Sequence, residues 1–212
     1  MEVSNYDKLC EEWRLKFLEI NQGELLEKLP EFQEEGEYLT IVHFGRKYGI
    51  HRENGTIAAF DDMDIPNGTK MNIYNLCWYS TRNAHFLDKW VPFRNVKGAA
   101  PFAPAFEKNV LKPFAMTFTG KTEALRAAAA KLGGEAVRQG DAGYRLKAFE
   151  CIPMQYLFWD GDDEFPAQAN ILFDYSVTDY IHVESTVTLA VEGVCRLAKE
   201  AGVELQGHMF AM

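Results

Sequence analysis

The stretch YRLKAFECIPMQYLFWDGDDEFPAQANILFD, residues 144–174, contains three apolar segments and one acidic turn. "YRLKAFE" and "MQYLFWD" predict two strands that are joined around Pro153, and "AQANILFD" predicts a third strand after the turn. Short runs rich in aromatic and β-branched side chains, bounded by turn residues, are typical of strands. Short connections between successive strands favour antiparallel pairing. The stretch therefore predicts an antiparallel meander.

A second group of short strands lies earlier in the chain, in "EYLTIVHFGRKYGIHRENGTIAAF", residues 37–60. Gly45 predicts the first turn. The Asn54-Gly55 pair predicts a hairpin with a type I′ turn, because both residues tolerate a positive φ. Helical segments precede, separate and follow the two groups, which indicates an α+β protein. We predict a mixed, largely antiparallel sheet of about six strands in two meanders, with helices packed on it.

Helical spacing of apolar residues predicts the first and last elements as helices. Ser4 is a candidate N-cap for the first helix. Thr122 is a candidate cap for an alanine-rich helix, and the segment before it is expected to be helical on both sides of Pro113. A chain of 212 residues is most simply one domain. We expect residues 1–30 to form an N-terminal helical segment and residues 31–212 a single α+β domain.

The charge balance limits the classes of partner. The sequence has 31 acidic and 22 basic residues and a formal net charge of −9, which argues against binding to nucleic acid or to an anionic membrane. The four cysteines are widely spaced and form no C-x-x-C pair, so we expect reduced core residues. No signal peptide and no apolar run of about 20 residues is visible. We therefore expect a cytoplasmic protein.

Negative charge is concentrated in the turn that follows the second strand of the meander. Carboxylates this close to one another repel, so we expect solvent, basic side chains or a divalent cation to offset the repulsion. Oxygen ligands of this kind suit Mg²⁺ or Ca²⁺. A solvated turn, or one that binds the basic surface of a partner protein, is the alternative. The candidate metal ligands are Asp160, Asp162, Asp163, Glu164 and Asp174.

Aromatic residues surround an arginine in "KWVPFRNV", residues 89–96. An arginine among aromatic rings can bind a carboxylate or phosphate, or it can stack on a ring. We expect an aromatic-lined cleft that binds a small molecule. Its candidate residues are Trp78, Trp90, Phe93, Arg94 and Trp159. The alternative is that the arginine pairs with the acidic turn.

His43, within the predicted strand of residues 38–43, is the candidate catalytic residue. In a metal-assisted enzyme it would act as the general base. A hydrogen-bonded core histidine is the alternative. No nucleophile elbow or P-loop is present. Three functions therefore remain open: a small-molecule or cofactor-binding protein, a metal-assisted enzyme that uses the Asp160–Glu164 loop, and an interaction module that docks through that loop.

The sequence resembles an uncharacterised family known as domain of unknown function 3786, with the similarity spanning residues from about 38 to 200. The family pattern has a proline between two apolar strands, then Trp-x-Gly-Asp-x-Glu-Phe-Pro, then an apolar strand that ends in Phe-Asp. The matching positions are Pro153, Trp159, Gly161, Asp162, Glu164, Phe165, Pro166, Phe173 and Asp174.

The resemblance implies an origin in anaerobic bacteria or archaea, and hence a role in anaerobic metabolism, but no particular activity. Some relatives join this domain to a cysteine-rich iron–sulfur module like that of corrinoid iron–sulfur proteins. The present sequence has no cysteine cluster, so a corrinoid-type ligand is implied only by analogy.

Overall fold

Two antiparallel sheets organise residues 5–207, the part of the chain that the computed structural model describes. The strands of the first sheet are β1 (Gln33–Glu35), β2 (Tyr38–His43), β3 (Arg46–His51) and β4 (Ile57–Ala59), in that order. Those of the second are β5 (Trp90–Pro92), β6 (Glu135–Ala136), β7 (Ala142–Phe149), β8 (Ile152–Trp159) and β9 (Gln168–Asp174), in the order β5-β9-β8-β7-β6.

The predicted α+β class and the two meanders are confirmed, with two differences. The two groups of strands form separate sheets, of four and five strands, where one sheet of about six strands was expected. The additional strands β1, β5 and β6 are only two or three residues long and lie at sheet edges. Such short strands leave almost no periodicity in the sequence, so the pattern did not reveal them.

The turn predicted at Gly45 is confirmed and is the tight two-residue turn of the first sheet, whereas Asn54-Gly55 lies in a longer connection. Phe44 and Gly45, between β2 and β3, have φ values of 45° and 75°. Positive φ at a bulky residue is uncommon and needs compensation. The ring of Phe44 is buried, and its amide donates to the carbonyl oxygen of Ala148 in β7 at 3.0 Å. At the predicted Asn54-Gly55 turn, Gly55 alone has a positive φ, of 72°.

The helices of the described chain surround the two sheets. They are α1 (Asn5–Leu18), α2 (Gln22–Lys28), α3 (Asn67–Tyr79), α4 (Ala103–Phe106), α5 (Lys112–Phe118), α6 (Thr122–Lys131), α7 (Val177–Tyr180) and α8 (Val183–Ala201). The predicted cap Ser4 lies outside the described residues. Thr122 is the first residue of α6 and does not cap it through its own side chain.

A π-helical turn, Glu107–Leu111, joins α4 to α5 without a break. Its bonds span five residues, and the amide of Lys112 donates to the carbonyl oxygen of Glu107. Pro113 follows directly. Proline has no N–H to donate to the helix, and its ring would clash with the carbonyl group four residues earlier in a regular α-helix. The wider turn accommodates this proline, so the helix continues on both sides of it as predicted. We refer to residues 103–118 as the α4–α5 helix.

The helices before residue 31 share one hydrophobic core with the rest of the described chain. Phe17 of α1 packs against Tyr74 of α3, with the ring centroids 6.3 Å apart. Leu25 of α2 is fully buried in the same core. These contacts bind the N-terminal helices to α3.

The second sheet packs against helices on one face. Phe114 of the α4–α5 helix contacts the rings of Tyr156 and Phe158 in β8. On α8, Gly193 lies so close to the hydroxyl of Tyr156 that a Cβ atom would overlap it. Glycine therefore allows α8 to approach the sheet. In the part of the chain that the structure describes, no helix has the length and apolar character needed to span a bilayer.

Candidate functional site

The acidic turn is held by hydrogen bonds from the protein itself, beginning with Asp160. The carboxylate of Asp160 accepts from the amide of Gly120 at 2.9 Å and from the hydroxyl of Thr122 at 2.8 Å. It also accepts from the amide of Gly161 at 2.9 Å. Partial burial would raise the pKa of Asp160, but these hydrogen bonds outweigh it and lower the pKa. Asp160 therefore fastens the turn to the start of α6.

Asp162 stabilises the turn internally. Its Oδ1 accepts from the amides of Glu164 at 2.9 Å and Phe165 at 2.7 Å, which lowers the pKa of this exposed carboxyl. Asp163 and Glu164 are exposed to solvent. No group of three or more potential metal ligands occurs among residues 5–207. The structure therefore does not support the predicted metal site, because the two best-placed carboxylates bind backbone amides.

Asp174, the remaining metal candidate, is buried at the end of β9. Its carboxylate accepts from the amides of Leu87 at 3.2 Å and Lys89 at 2.9 Å, and from the amide of Ser176 at 3.0 Å. The hydroxyl of Ser176 donates to the same carboxylate. A buried carboxylate needs such donors. Asp174 therefore orders the segment that leads into β5 and contributes nothing to the acidic turn.

The predicted aromatic cleft is divided by the fold. Trp78 packs edge-on against Trp13 of α1, with centroids 6.3 Å apart. The ring of Trp90 contacts the guanidinium of Arg145 at 5.1 Å. Trp159, at the end of β8, is 39% exposed. These three tryptophans do not line the cavity that Phe93 and Arg94 line.

That cavity has a volume of about 700 Å³ and lies between the α4–α5 helix and the start of β9. Typical ligand pockets have volumes of about 300–1,000 Å³ and mostly apolar walls. Three segments form the walls. They are Pro92, Phe93 and Arg94 after β5; Ala103, Glu107, Leu111, Lys112, Ala115 and Met116 on the helix; and Pro166, Ala167, Gln168, Ala169 and Asn170.

Packing fixes the apolar wall of the cavity. The ring of Phe93 is 3% exposed and stacks on Phe106, with centroids 4.1 Å apart and planes 18° apart. Phe106 in turn contacts Phe173 of β9 at 6.1 Å. The helix presents residues at a spacing of four, from Ala103 to Ala115, and alanine leaves room there. The spacing of these residues can be read from the sequence, but only the fold shows that they face a cavity.

The charged residues of the cavity are Arg94, Lys112 and Glu107, all exposed. Within residues 5–207, neither Arg94 nor Lys112 forms an ion pair, so the alternative that Arg94 pairs with the acidic turn is wrong there. Both cations are long side chains with apolar stems, which can cover apolar surface while the charged ends contact an anion. The cavity thus combines an apolar wall with two available positive charges.

His43, the candidate general base, lies in a buried polar cluster away from the cavity. Its Nδ1 is 2.7 Å from the carbonyl oxygen of Ala148, and its Nε2 is 2.8 Å from Oε2 of Glu192. Both ring nitrogens therefore lie within hydrogen-bonding distance of a protein oxygen. The side chain is 0% exposed. With no accessible nitrogen, His43 is a core histidine and the prediction of a general base is not supported.

Glu192 of α8 is the centre of this cluster. Its carboxylate also accepts from Thr69 at 2.9 Å and Asn72 at 3.2 Å, both on α3, and from Arg196 at 2.7 Å. Burial would raise the pKa of Glu192, but the attraction and hydrogen bond of His43, and then those of Arg196, hold its pKa at about 2. The cluster joins both sheets, α3 and α8. The sequence contains one signal of this cluster: Glu192 lies among the apolar residues of α8, four positions before Arg196.

Comparison with known proteins identifies the family of the chain but gives no information about an activity. No curated protein and no solved structure matches the chain. A model of one protein family, described as a domain of unknown function (DUF3786), matches residues 28–196. This range includes both sheets, the cavity and the buried cluster around Glu192. The chain therefore belongs to the DUF3786 family, as the Trp-x-Gly-Asp-x-Glu-Phe-Pro motif indicated.

Proposed function

We propose that the protein is a binding protein whose ligand occupies the cavity between the α4–α5 helix and β9. One observation carries the proposal: an apolar cavity of about 700 Å³ is bordered by Arg94 and Lys112, which form no ion pair with the described residues. The ligand is an amphipathic molecule with an acidic group. Its apolar part contacts Phe93 and Leu111, and its acidic group contacts the two cations.

We place this function in the cytoplasm. All four cysteines are free, which is the usual state in a reducing compartment. Burial raises the pKa of the Cys77, Cys151 and Cys195 thiols, so these groups stay protonated and unreactive.

Anilinonaphthalene sulfonate, a small aromatic anion, tests the proposal by fluorescence titration of the folded protein. We expect saturable binding that weakens at least about tenfold in Arg94→Gln and in Lys112→Gln, since a charge-assisted hydrogen bond contributes about 1.5–3 kcal/mol. Lys108→Gln is the matched control: it removes one exposed charge from the same helix at a position that does not line the cavity.

Equal binding by Lys108→Gln, Lys112→Gln and Arg94→Gln would show that the anion binds elsewhere, and would refute the proposal. A cavity-filling change, Ala103→Phe, supplies a second test that does not depend on charge. We expect it to weaken binding while the melting temperature stays within a few degrees of that of the natural protein. Mass spectrometry of small molecules released from the natively purified protein then identifies the ligand.

A further inference from the structure

One side of β9 has no neighbouring strand over half of its length. β8 pairs with β9 from Gln168 to Phe173, whereas β5 pairs only with residues 172–174. β5 ends at Pro92, and the chain then turns away in a 3₁₀ turn, Phe93–Asn95. Of the described strands, none pairs with residues 168–171 on this side.

The register shows which backbone groups face the open side. In an antiparallel ladder, successive residues direct their N–H and C=O groups to opposite sides. The amide of Tyr175 donates to the carbonyl oxygen of Lys89, on the β5 side, at 2.8 Å. Counting back in steps of two, Phe173, Ile171 and Ala169 face that side as well. The polar backbone groups of Ile171 and Ala169 therefore point away from β8.

One of these groups is already occupied. The amide of Ile171 donates to the side-chain oxygen of Asn170 at 2.9 Å. Ile171 is 0% exposed, so its carbonyl is buried as well. The N–H and C=O groups of Ala169, which is half-buried, remain accessible on the open side. An exposed strand edge of this kind is a template for another extended chain. Gln168, Ala169 and Asn170 line the cavity, so the open edge is one wall of the proposed binding site.

We propose that the ligand is an extended, acidic peptide segment of a partner protein, which adds as a strand to the open edge of β9. This inference rests on the proposed function, because it assigns the ligand class of the same cavity. Strand addition uses main-chain hydrogen bonds for affinity and alternate side chains for specificity. One side of the peptide places apolar side chains against Phe93 and Leu111. A carboxylate of the peptide contacts Arg94 and Lys112.

The length of the open edge sets the size of the peptide core. Three residues of β9 line the cavity, from 168 to 170, and span about 10 Å at roughly 3.3 Å per residue. A peptide of about four to six residues covers this length. The peptide runs antiparallel to β9, in the position that β5 would occupy if it continued beyond Pro92. A non-peptide amphipathic acid can neutralise the cations and accept from the amide of Ala169, but it offers no N–H to the carbonyl of Ala169.

The test uses a pool of blocked, fluorescein-labelled hexapeptides that alternate aliphatic with acidic residues, with decanoate as the non-peptide competitor. We expect saturable anisotropy changes with the folded full-length protein. For the tightest-binding peptide, N-methylation of alternate residues separates the two sides of its backbone. Methylation on the side facing β9 should weaken binding at least tenfold, and methylation on the other side should change it less than twofold.

Ala169→Pro provides the matching change in the protein. Proline removes the amide hydrogen that points to the open side, and proline is tolerated on edge strands at such positions. We expect the variant to keep its circular dichroism spectrum and to lose peptide binding at least tenfold. Were Ala169→Pro to unfold, the N-methylated peptides would still decide the question on the natural protein.

The outcomes separate this inference from the proposed function. Binding of decanoate or the sulfonate, dependent on Lys112 and Arg94, without binding of any peptide overturns the inference and leaves the proposed function standing. Peptide binding that N-methylation on either side leaves unchanged also overturns it. Failure of all three kinds of probe overturns both proposals.

Discussion

Replacement of Glu192 by glutamine removes one buried negative charge and keeps the shape of the side chain. Glutamine accepts through one oxygen only, and its amide group then faces a donor, from either His43 or Arg196. The half-buried guanidinium of Arg196 also loses the charge that compensates it. Breaking a buried charge pair by changing one partner costs about 3–5 kcal/mol. We expect Glu192→Gln to lower the free energy of unfolding by about that amount.

The depressed pKa of Glu192 arises from the same contacts and points to a loss of similar size. A fall from the ordinary value of 4.5 to about 2 corresponds to roughly 3 kcal/mol, at about 1.4 kcal/mol per pKa unit. The folded-state pKa lies below the unfolded one, so this stability is present above pH 4.5. It is lost as the pH falls from about 4.5 towards 2. Glu192→Gln should lack this part of the acid dependence.

Urea unfolding monitored by tryptophan fluorescence measures both effects, at pH 7 and along the acid range. Glu200→Gln is the matched control, because Glu200 lies on the same helix and is exposed. Exposed substitutions usually change stability by less than about 0.5 kcal/mol. A loss below about 1 kcal/mol in Glu192→Gln, or an acid dependence equal to that of the natural protein, would refute this account of the cluster.

Four further outcomes are expected. Gly193→Ala should lower the free energy of urea unfolding by about 1–3 kcal/mol, since its methyl group overlaps the hydroxyl of Tyr156, and addition of Tyr156→Phe should recover part of that loss. Asp160→Ala should cost about 1 kcal/mol in the same assay, because the start of α6 loses an acceptor. Asp174→Asn should cost about 1–3 kcal/mol and speed hydrogen exchange at residues 87–89. EDTA should leave the melting temperature unchanged, because Asp160 and Asp162 bind backbone amides, and a fall would contradict that assignment.

The sequence was sufficient to predict the elements with strong local patterns. The long strands β7, β8 and β9 and the helices α6 and α8 lie where their periodicity placed them. The division into two sheets was not predictable, because it depends on contacts between distant residues. The turn at Phe44 shows the same limit: its amide donates to the carbonyl oxygen of Ala148 in the second sheet, about 100 residues later, and no local pattern reveals that contact.

The candidate site was predicted only in part. Phe93 and Arg94 line the cavity as expected, because they lie on the segment that leaves β5. Trp78 and Trp159 have the same chemistry, but they belong to other surfaces, which composition cannot show. The acidic residues show a different limit. A carboxylate that binds a metal and one that accepts backbone amides, as Asp160 and Asp162 do, look identical in a sequence.

The hydrogen bond between His43 and Glu192 can form only late in translation, because 149 positions separate the two residues. At about 5–20 residues per second, the ribosome needs roughly 7–30 s to extend the chain from one to the other. During that interval His43 lacks the carboxylate with which it pairs in the folded protein. We expect the nascent chain to need protection by a chaperone until α8 emerges and completes the fold.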